Sequence, residues 1–236
     1  MILNKLNIIS QNICKNHLIV NTILKTHSHF NIILIQEPPW SIICQVPSSI
    51  NSKGKNLIGT IDHPNWILLA SILVNKAYSP RVSAYINICL SSLCFSLHRD
   101  IINHSDILLM SFTNNHVQYF IMNVYSDLSH LALKYLKDIE VNINNVLIMM
   151  GDFNIRNSLW NPSFPHHSAI SDDLFIIADS YNLAISMLTK YYPTRYLDTT
   201  GEADSTIDLM FSEMVQVRLI NTPSTQIGVS YLTTLP

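Results

Sequence analysis

"NVLIMMGDFNIRNSLWNP", residues Asn145 to Pro162, carries the reading that decides the fold. An apolar run from Val146 to Met150 stops at Gly151-Asp152-Phe153-Asn154 and gives way to polar residues, Trp160 and a proline. A short apolar run with no alternation is the pattern of a strand buried on both faces. Such a strand is a rail that delivers Asp152 and Asn154 from a rigid end, with Gly151 free to make the turn that exposes them. Trp160 is expected to pack the loop that follows.

Composition permits a chain built on such rails. Of 236 residues, 48% are apolar and only 13% are Asp, Glu, Lys or Arg, which excludes a disordered tail and a charge-laced helical protein. No internal repeat, low-complexity stretch or Gly/Ser linker divides the sequence, so a single domain over 1–236 is expected. The formal net charge is −2, so DNA binding would rest on a local surface and not on a global field. Cys14, Cys44, Cys89 and Cys94 show no CxxC spacing, and the first residues lack a secretory pattern. A reducing intracellular compartment is the simpler expectation, with nucleus and cytoplasm not distinguished. Apolar runs such as Ile67 to Val74 are far shorter than the roughly 20 residues that cross a bilayer, so no membrane span is expected.

Working outward from the opening stretch, Lys5 to Asn12 and Asn31 to Gln36 read as buried strands, and Ile19/Ile23 with Val20/Leu24 share a helix face between them. Shorter strands are expected at Ile67–Val74, Ser83–Ile88, Leu93–His98, Asp106–Phe112 and Val117–Val124, and a late one at Ser205–Phe211. Asp127 suits the cap of a helix carrying Leu128, Leu131, Tyr135, Ile139 and Ile143; Ser171 suits the cap of another over Asp172 to Tyr181. Two packed sheets with helices outside accommodate this order.

Polar residues at strand ends carry the chemistry. Asn12 ends the first strand, Glu37 follows the second in "IQEPPW", Tyr125 ends "FIMNVY", and Asp208 lies inside the last strand. A buried strand running into a carboxylate is unfavourable unless the carboxylate meets a cation or a donor. Several such ends converging would make an oxygen-rich site suited to magnesium more than to zinc. Each residue alone has a plainer reading: Asn12 as a strand terminus, Glu37 as a solvated loop carboxylate, Tyr125 as core with its hydroxyl at the rim. The combination is what points to a site.

Taken in order, "QN" at Gln11-Asn12, "QEPPW" at Gln36 to Trp40, "NVYSD" at Asn123 to Asp127, "GDFN" at Gly151 to Asn154 and "STIDLMF" resemble the endonuclease/exonuclease/phosphatase superfamily. More narrowly, "GDFNIRNSLWNP" with "GEADSTIDLMF" resembles the endonuclease domain of non-LTR, LINE-type retrotransposons, fungal versions included. The resemblance covers nearly the whole chain. It implies a four-layer α/β sandwich, with two mixed sheets between helices, and hydrolysis of a DNA phosphodiester with magnesium or manganese (Mg2+ or Mn2+). It further implies Glu37 as principal metal ligand, Asn12 in support of the metal, and Asp152 orienting or deprotonating the attacking water. Asn154 and Tyr125 would contact the phosphate. No protein partner is implied.

The pattern departs from the family in two places. The family closes with Ser-Asp-His, whose histidine pairs with the Asp that is Asp208 here; in this sequence Ser230-Tyr231 falls roughly there, and the last histidine is His167. Retrotransposon relatives also carry histidine after "GDFN", where this chain has Arg156-Asn157. Arg156 could contact a phosphate or solvate its loop, and His166-His167 read as a polar loop. Two expectations follow: a nicking endonuclease with weakened turnover, or a non-catalytic remnant of the same fold that keeps a nucleic-acid or interaction surface. The phosphatase branch is less favoured by the "LWNP" and "GEADSTIDL" segments.

Overall fold

The computed structural model describes residues 5–44, 57–70, 79–139, 143–161, 164, 168–186, 206–213, 217–219 and 229–234. The chain opens with β1 (Lys5–Asn12), α1 (His17–Thr26), β2 (Ile32–Gln36), β3 (Ser41–Cys44), β4 (Leu57–Gly59), β5 (Trp66–Leu69) and β6 (Val82–Asn87). It continues through a 3-10 turn (Ile88–Leu93) to β7 (Ser96–Leu97), β8 (Ile107–Asn114), β9 (Val117–Tyr125), α2 (Leu131–Asp138), β10 (Val146–Asp152) and α3 (Ala169–Ser180). The last elements are β11 (Ala184–Ile185), β12 (Asp208–Ser212), β13 (Val217–Leu219) and β14 (Val229–Thr234).

Two mixed six-stranded sheets result, ordered β13-β14-β1-β2-β6-β5 and β11-β12-β10-β9-β8-β7, with β3 and β4 forming a small separate ribbon. Alternation along each strand sorts its side chains into layers. In β2, Ile32 and Leu34 face the second sheet, where they meet a core that includes Met110, Ile121, Ile148 and Met150. Ile33 and Ile35 face the other way, onto Val20, Ile23 and Leu24 of α1. On the far side of the second sheet, Met122, Val124, Met149 and Phe211 pack under Leu133 and Leu136 of α2 and Leu174 and Ile177 of α3. Helix, sheet, sheet and helices stack in that order: the protein is a four-layer α/β sandwich.

Four local expectations are corrected. The helix assigned to an Asp127 cap begins only at Leu131 and ends at Asp138, because the Asp127 carboxylate is engaged elsewhere, by the Ser129 N–H at 3.0 Å and by Arg81 at 2.7 Å. The helix assigned to a Ser171 cap starts at Ala169, and Ser171 is buried in its first turn. Its hydroxyl donates to the Ser168 carbonyl at 2.6 Å and accepts the Asn157 amide at 2.9 Å. Leu93–His98 is mostly the end of the 3-10 turn and its exit, with only Ser96–Leu97 as strand. Gly151 lies within β10 and not in the turn beyond it. There it has φ +150°, and a Cβ would stand 1.8 Å from the Val124 carbonyl oxygen, so only glycine lets β10 lie this close to β9.

Candidate active site

Parallel pairing within each sheet places the strand ends together. Asn12 is in register with Gln36 across β1 and β2, and Asp152 with Tyr125 across β9 and β10; Asp208 is opposite Asp152 on β12. Both parallel pairs end at the same edge of the sandwich, where the Asn12 amide joins the sheets. Its Nδ2 donates to Asp152 Oδ2 at 2.8 Å and to Glu37 Oε2 at 3.2 Å. Its Oδ1 accepts the Cys14 N–H at 2.9 Å, and that bond fixes which end of the amide faces the carboxylates.

Glu37 stands outside the ladder at φ 49°. The backbone pins it there: its N–H donates to the Arg81 carbonyl and its carbonyl accepts the Lys15 N–H, each at 2.8 Å. Pro38 and Pro39 are buried immediately behind it and stiffen the exit. Asp152 is 3% exposed. Burial pushes its pKa up to about 6; the nearby Glu37 charge pushes the same way, and hydrogen bonds from Asn12 and Asn154 oppose both. Asn154, at φ 49°, donates its backbone N–H to Asp152 Oδ1 at 3.1 Å and its side-chain Nδ2 to the Ser126 carbonyl at 2.9 Å. Burial, helped by the charges of Glu37 and Asp152, pushes the Tyr125 phenol well above its ordinary value. It therefore remains a protonated donor.

Arg81, Asp106, Asp127 and Ser126 also belong to this edge; the sequence reading gave none of them a site role, taking Asp127 as a helix cap, Asp106 as a strand start and Ser126 only as part of the "NVYSD" motif. The Arg81 guanidinium lies 4.8 Å over the Tyr125 ring. Its Nε donates to Asp106 Oδ1 at 2.6 Å, another nitrogen reaches Asp106 Oδ2, and a third reaches Asp127 Oδ2 at 2.7 Å. The signal was a charged residue directly before an apolar strand. Because β6 runs antiparallel to β2, its start lies beside the end of β2.

The stretch after Asn154 is stapled by its asparagines. Asn161 exchanges hydrogen bonds with Thr206 at 2.9 and 2.6 Å, which ties the loop to the approach to β12. Trp160 is 2% exposed, donates to the Ile155 carbonyl at 3.0 Å and packs against Phe175, so it is the anchor of this loop. Arg156 lies 6.0 Å over the Phe164 ring. His166, His167 and residues 201–205 lie outside the described residues. Ser230 and Tyr231 sit inside β14, opposite Ile9 and Ile8, several residues back along β1 from Asn12. A strand-interior register is not the position of a residue that caps the edge.

The donor set suits a hard divalent cation. Two carboxylates meet on one amide nitrogen, and the pKa of the buried one is raised first by burial and further by the other's charge; a cation bound there would offset that repulsion. Glu37 and Asp152 offer the oxygens. Asn12, as oriented, holds the two carboxylates through its nitrogen.

Residues 119–228 match the Exo_endo_phos_2 family, described as endonuclease-reverse transcriptase. No curated protein matches the chain. Among solved structures, the endonuclease domain of TRAS1, a telomere-specific non-LTR retrotransposon, is similar over 98% of both chains, with 13% identity and a TM-score of 0.67. D. rerio TDP2 complexed with a single-strand DNA product is similar over 98% of both chains, with 13% identity and a TM-score of 0.52. C. elegans TDP2 is similar over 98% of this chain and 75% of its own, with 12% identity and a TM-score of 0.51. At such identities the likeness is one of architecture: the chain has an endonuclease/exonuclease/phosphatase-type fold.

Proposed function

We propose that this chain is a divalent-metal-dependent phosphodiester hydrolase that nicks DNA in the manner of retrotransposon endonucleases. The observation that carries the reading is the Asn12 amide, which draws Glu37 and Asp152 from two different sheets to one point. Convergence of carboxylates across a sandwich serves no packing purpose, since it places like charges together at a partly desolvated edge.

Glu37 would hold magnesium or manganese, with Asn12 in support of the site, and the ion when bound would neutralise charge developing on the phosphate. Asp152, whose pKa burial lifts to about 6 in the metal-free protein, would orient the attacking water and accept its proton. The water oxygen bonds to phosphorus as the scissile P–O bond breaks, and the departing oxygen leaves as an alkoxide that takes a proton from solvent. Asn154, held in place by its amide's bond to the Ser126 carbonyl, would hold an oxygen of the scissile phosphate. Tyr125 donates its phenolic proton as a hydrogen bond to the same group. Asp208, opposite Asp152, supports that carboxylate's surroundings. DNA as partner is supported by the family match and by the DNA-bound D. rerio TDP2, whose fold this chain shares.

A plasmid-nicking assay with magnesium tests the reading. The wild type is expected to relax supercoiled DNA, and Glu37→Ala or Asp152→Ala to slow it by at least about 100-fold. Nicking indifferent to both substitutions and to a chelator sinks the proposal. A folded wild type that nicks nothing favours the non-catalytic remnant instead, and release of phosphate from a small phosphomonoester favours the phosphatase branch.

A further inference from the structure

We infer that His130 is a positioning residue, which acts through Ser126 to fix the backbone carbonyl that holds the Asn154 amide. The inference rests on the hydrolase reading for its activity readout, and on hydrogen bonds alone for its geometry. Ser126 is fully buried and bound on three sides. Its N–H donates to the Asp152 carbonyl at 2.8 Å, its own carbonyl accepts Asn154 Nδ2 at 2.9 Å, and its hydroxyl meets His130 Nδ1 at 2.9 Å. One serine thus touches both active-site residues of the "GDFN" stretch and reaches back to one histidine.

What His130 does not do narrows its role. It precedes α2 with φ 52° and ψ 33°, a left-handed conformation that glycine or asparagine adopts at less strain, and its side chain makes no capping hydrogen bond to the helix. Its backbone closes the turn without help from the ring: its N–H donates to the Asp127 carbonyl at 3.0 Å and its carbonyl accepts the Lys134 N–H at 3.1 Å. Among the described residues, the ring's bond is the one to Ser126. Burial holds the imidazole below its ordinary pKa, so one ring nitrogen can accept from the hydroxyl or donate to it. The loop from Ser126 to His130 is then clamped at two points, by Arg81 on Asp127 and by His130 on Ser126.

Three proteins decide the matter: wild type, His130→Gly and His130→Asn. Glycine suits the backbone angle and deletes the brace; asparagine suits the angle and keeps a hydrogen-bonding group near the position of Nδ1. The His130→Gly protein is expected to fold with unchanged thermal stability and to lose about 10- to 100-fold in kcat, with KM within roughly 2-fold; His130→Asn is expected to recover most of the rate. In NMR spectra of 15N-asparagine-labelled protein, with Asn154 assigned from the Asn154→Ala spectrum, its side-chain amide should move to a solvent-exposed position in His130→Gly and stay in place in His130→Asn. An Asn154 amide unmoved by His130→Gly, or a rate equally low in both variants, overturns the inference. Should the wild type prove inert, the hydrolase reading fails and the amide resonance still decides the brace.

Discussion

Asp152 shows how much one buried carboxylate sets the behaviour of the site. With its pKa raised to about 6 from 3.8, the folded state keeps a proton that the unfolded chain has released between those values. Folding stability therefore falls as pH rises from about 4 to about 6 and levels off above, a loss of about 3 kcal/mol in metal-free protein. Urea midpoints in chelator at pH 4.5 and 7 should show the drop; Asp152→Asn should flatten it and be the more stable protein at pH 7. Removing Arg81 has a different effect, because it strands Asp106, 2% exposed, as a buried charge. Arg81→Met should lose about 3 kcal/mol by thermal unfolding, and Arg81→Lys should restore little, since one ammonium cannot reproduce a two-pronged grip on Asp106 and a third bond to Asp127. Asp152, Asn154 and Glu37 were legible because each interrupts an apolar run at its end. Arg81 was not, because its importance comes from a strand that enters the edge others leave, and sheet polarity is not written in a short apolar run.

At the scale of the element, β10 was the most legible piece of the molecule and was still misread at one residue. Its apolar run marks a strand buried on both faces, yet the sequence does not show that Gly151 serves strand spacing and not a turn. The carbonyl of Val124 occupies the space of its missing side chain. Gly151→Ala is expected to destabilise by at least about 2 kcal/mol, from clash and from the positive φ together, and to weaken nicking through the adjacent Asp152. Circular dichroism melting with a parallel nicking assay checks both. Helix starts were misplaced for a related reason. Asp127 and Ser171 are good caps by residue type, but each makes hydrogen bonds to distant parts of the chain, and tertiary partners override local preference.

Across the whole molecule the two sheets are joined by more than oil. Behind the site Gln36 and Asn123, both fully buried, face each other between the layers. Gln36 Nε2 donates to Asn123 Oδ1 at 2.5 Å and to Ser10 Oγ at 2.9 Å, and Asn123 Nδ2 donates to the carbonyls of Ile35 and Ser83 at 3.1 and 3.0 Å. Asn123→Leu leaves several of these groups stranded and should destabilise by about 3 kcal/mol, whereas Gln36→Leu combined with Asn123→Leu should fall clearly short of the sum of the two. Denaturant titration of the three variants measures the difference. The order of strands within a sheet was the least legible level, because nothing in a short apolar run names its neighbour. That order has a temporal meaning. β1 lies between β2 and β14, so Lys5 to Ser10 pair along one edge with a strand that lies far away in sequence, Val229 to Thr234. During synthesis at about 5–20 residues per second, that edge stays open for roughly 10–45 s until Val229 and its successors emerge, a window in which its unpaired backbone groups are open to the wrong partner.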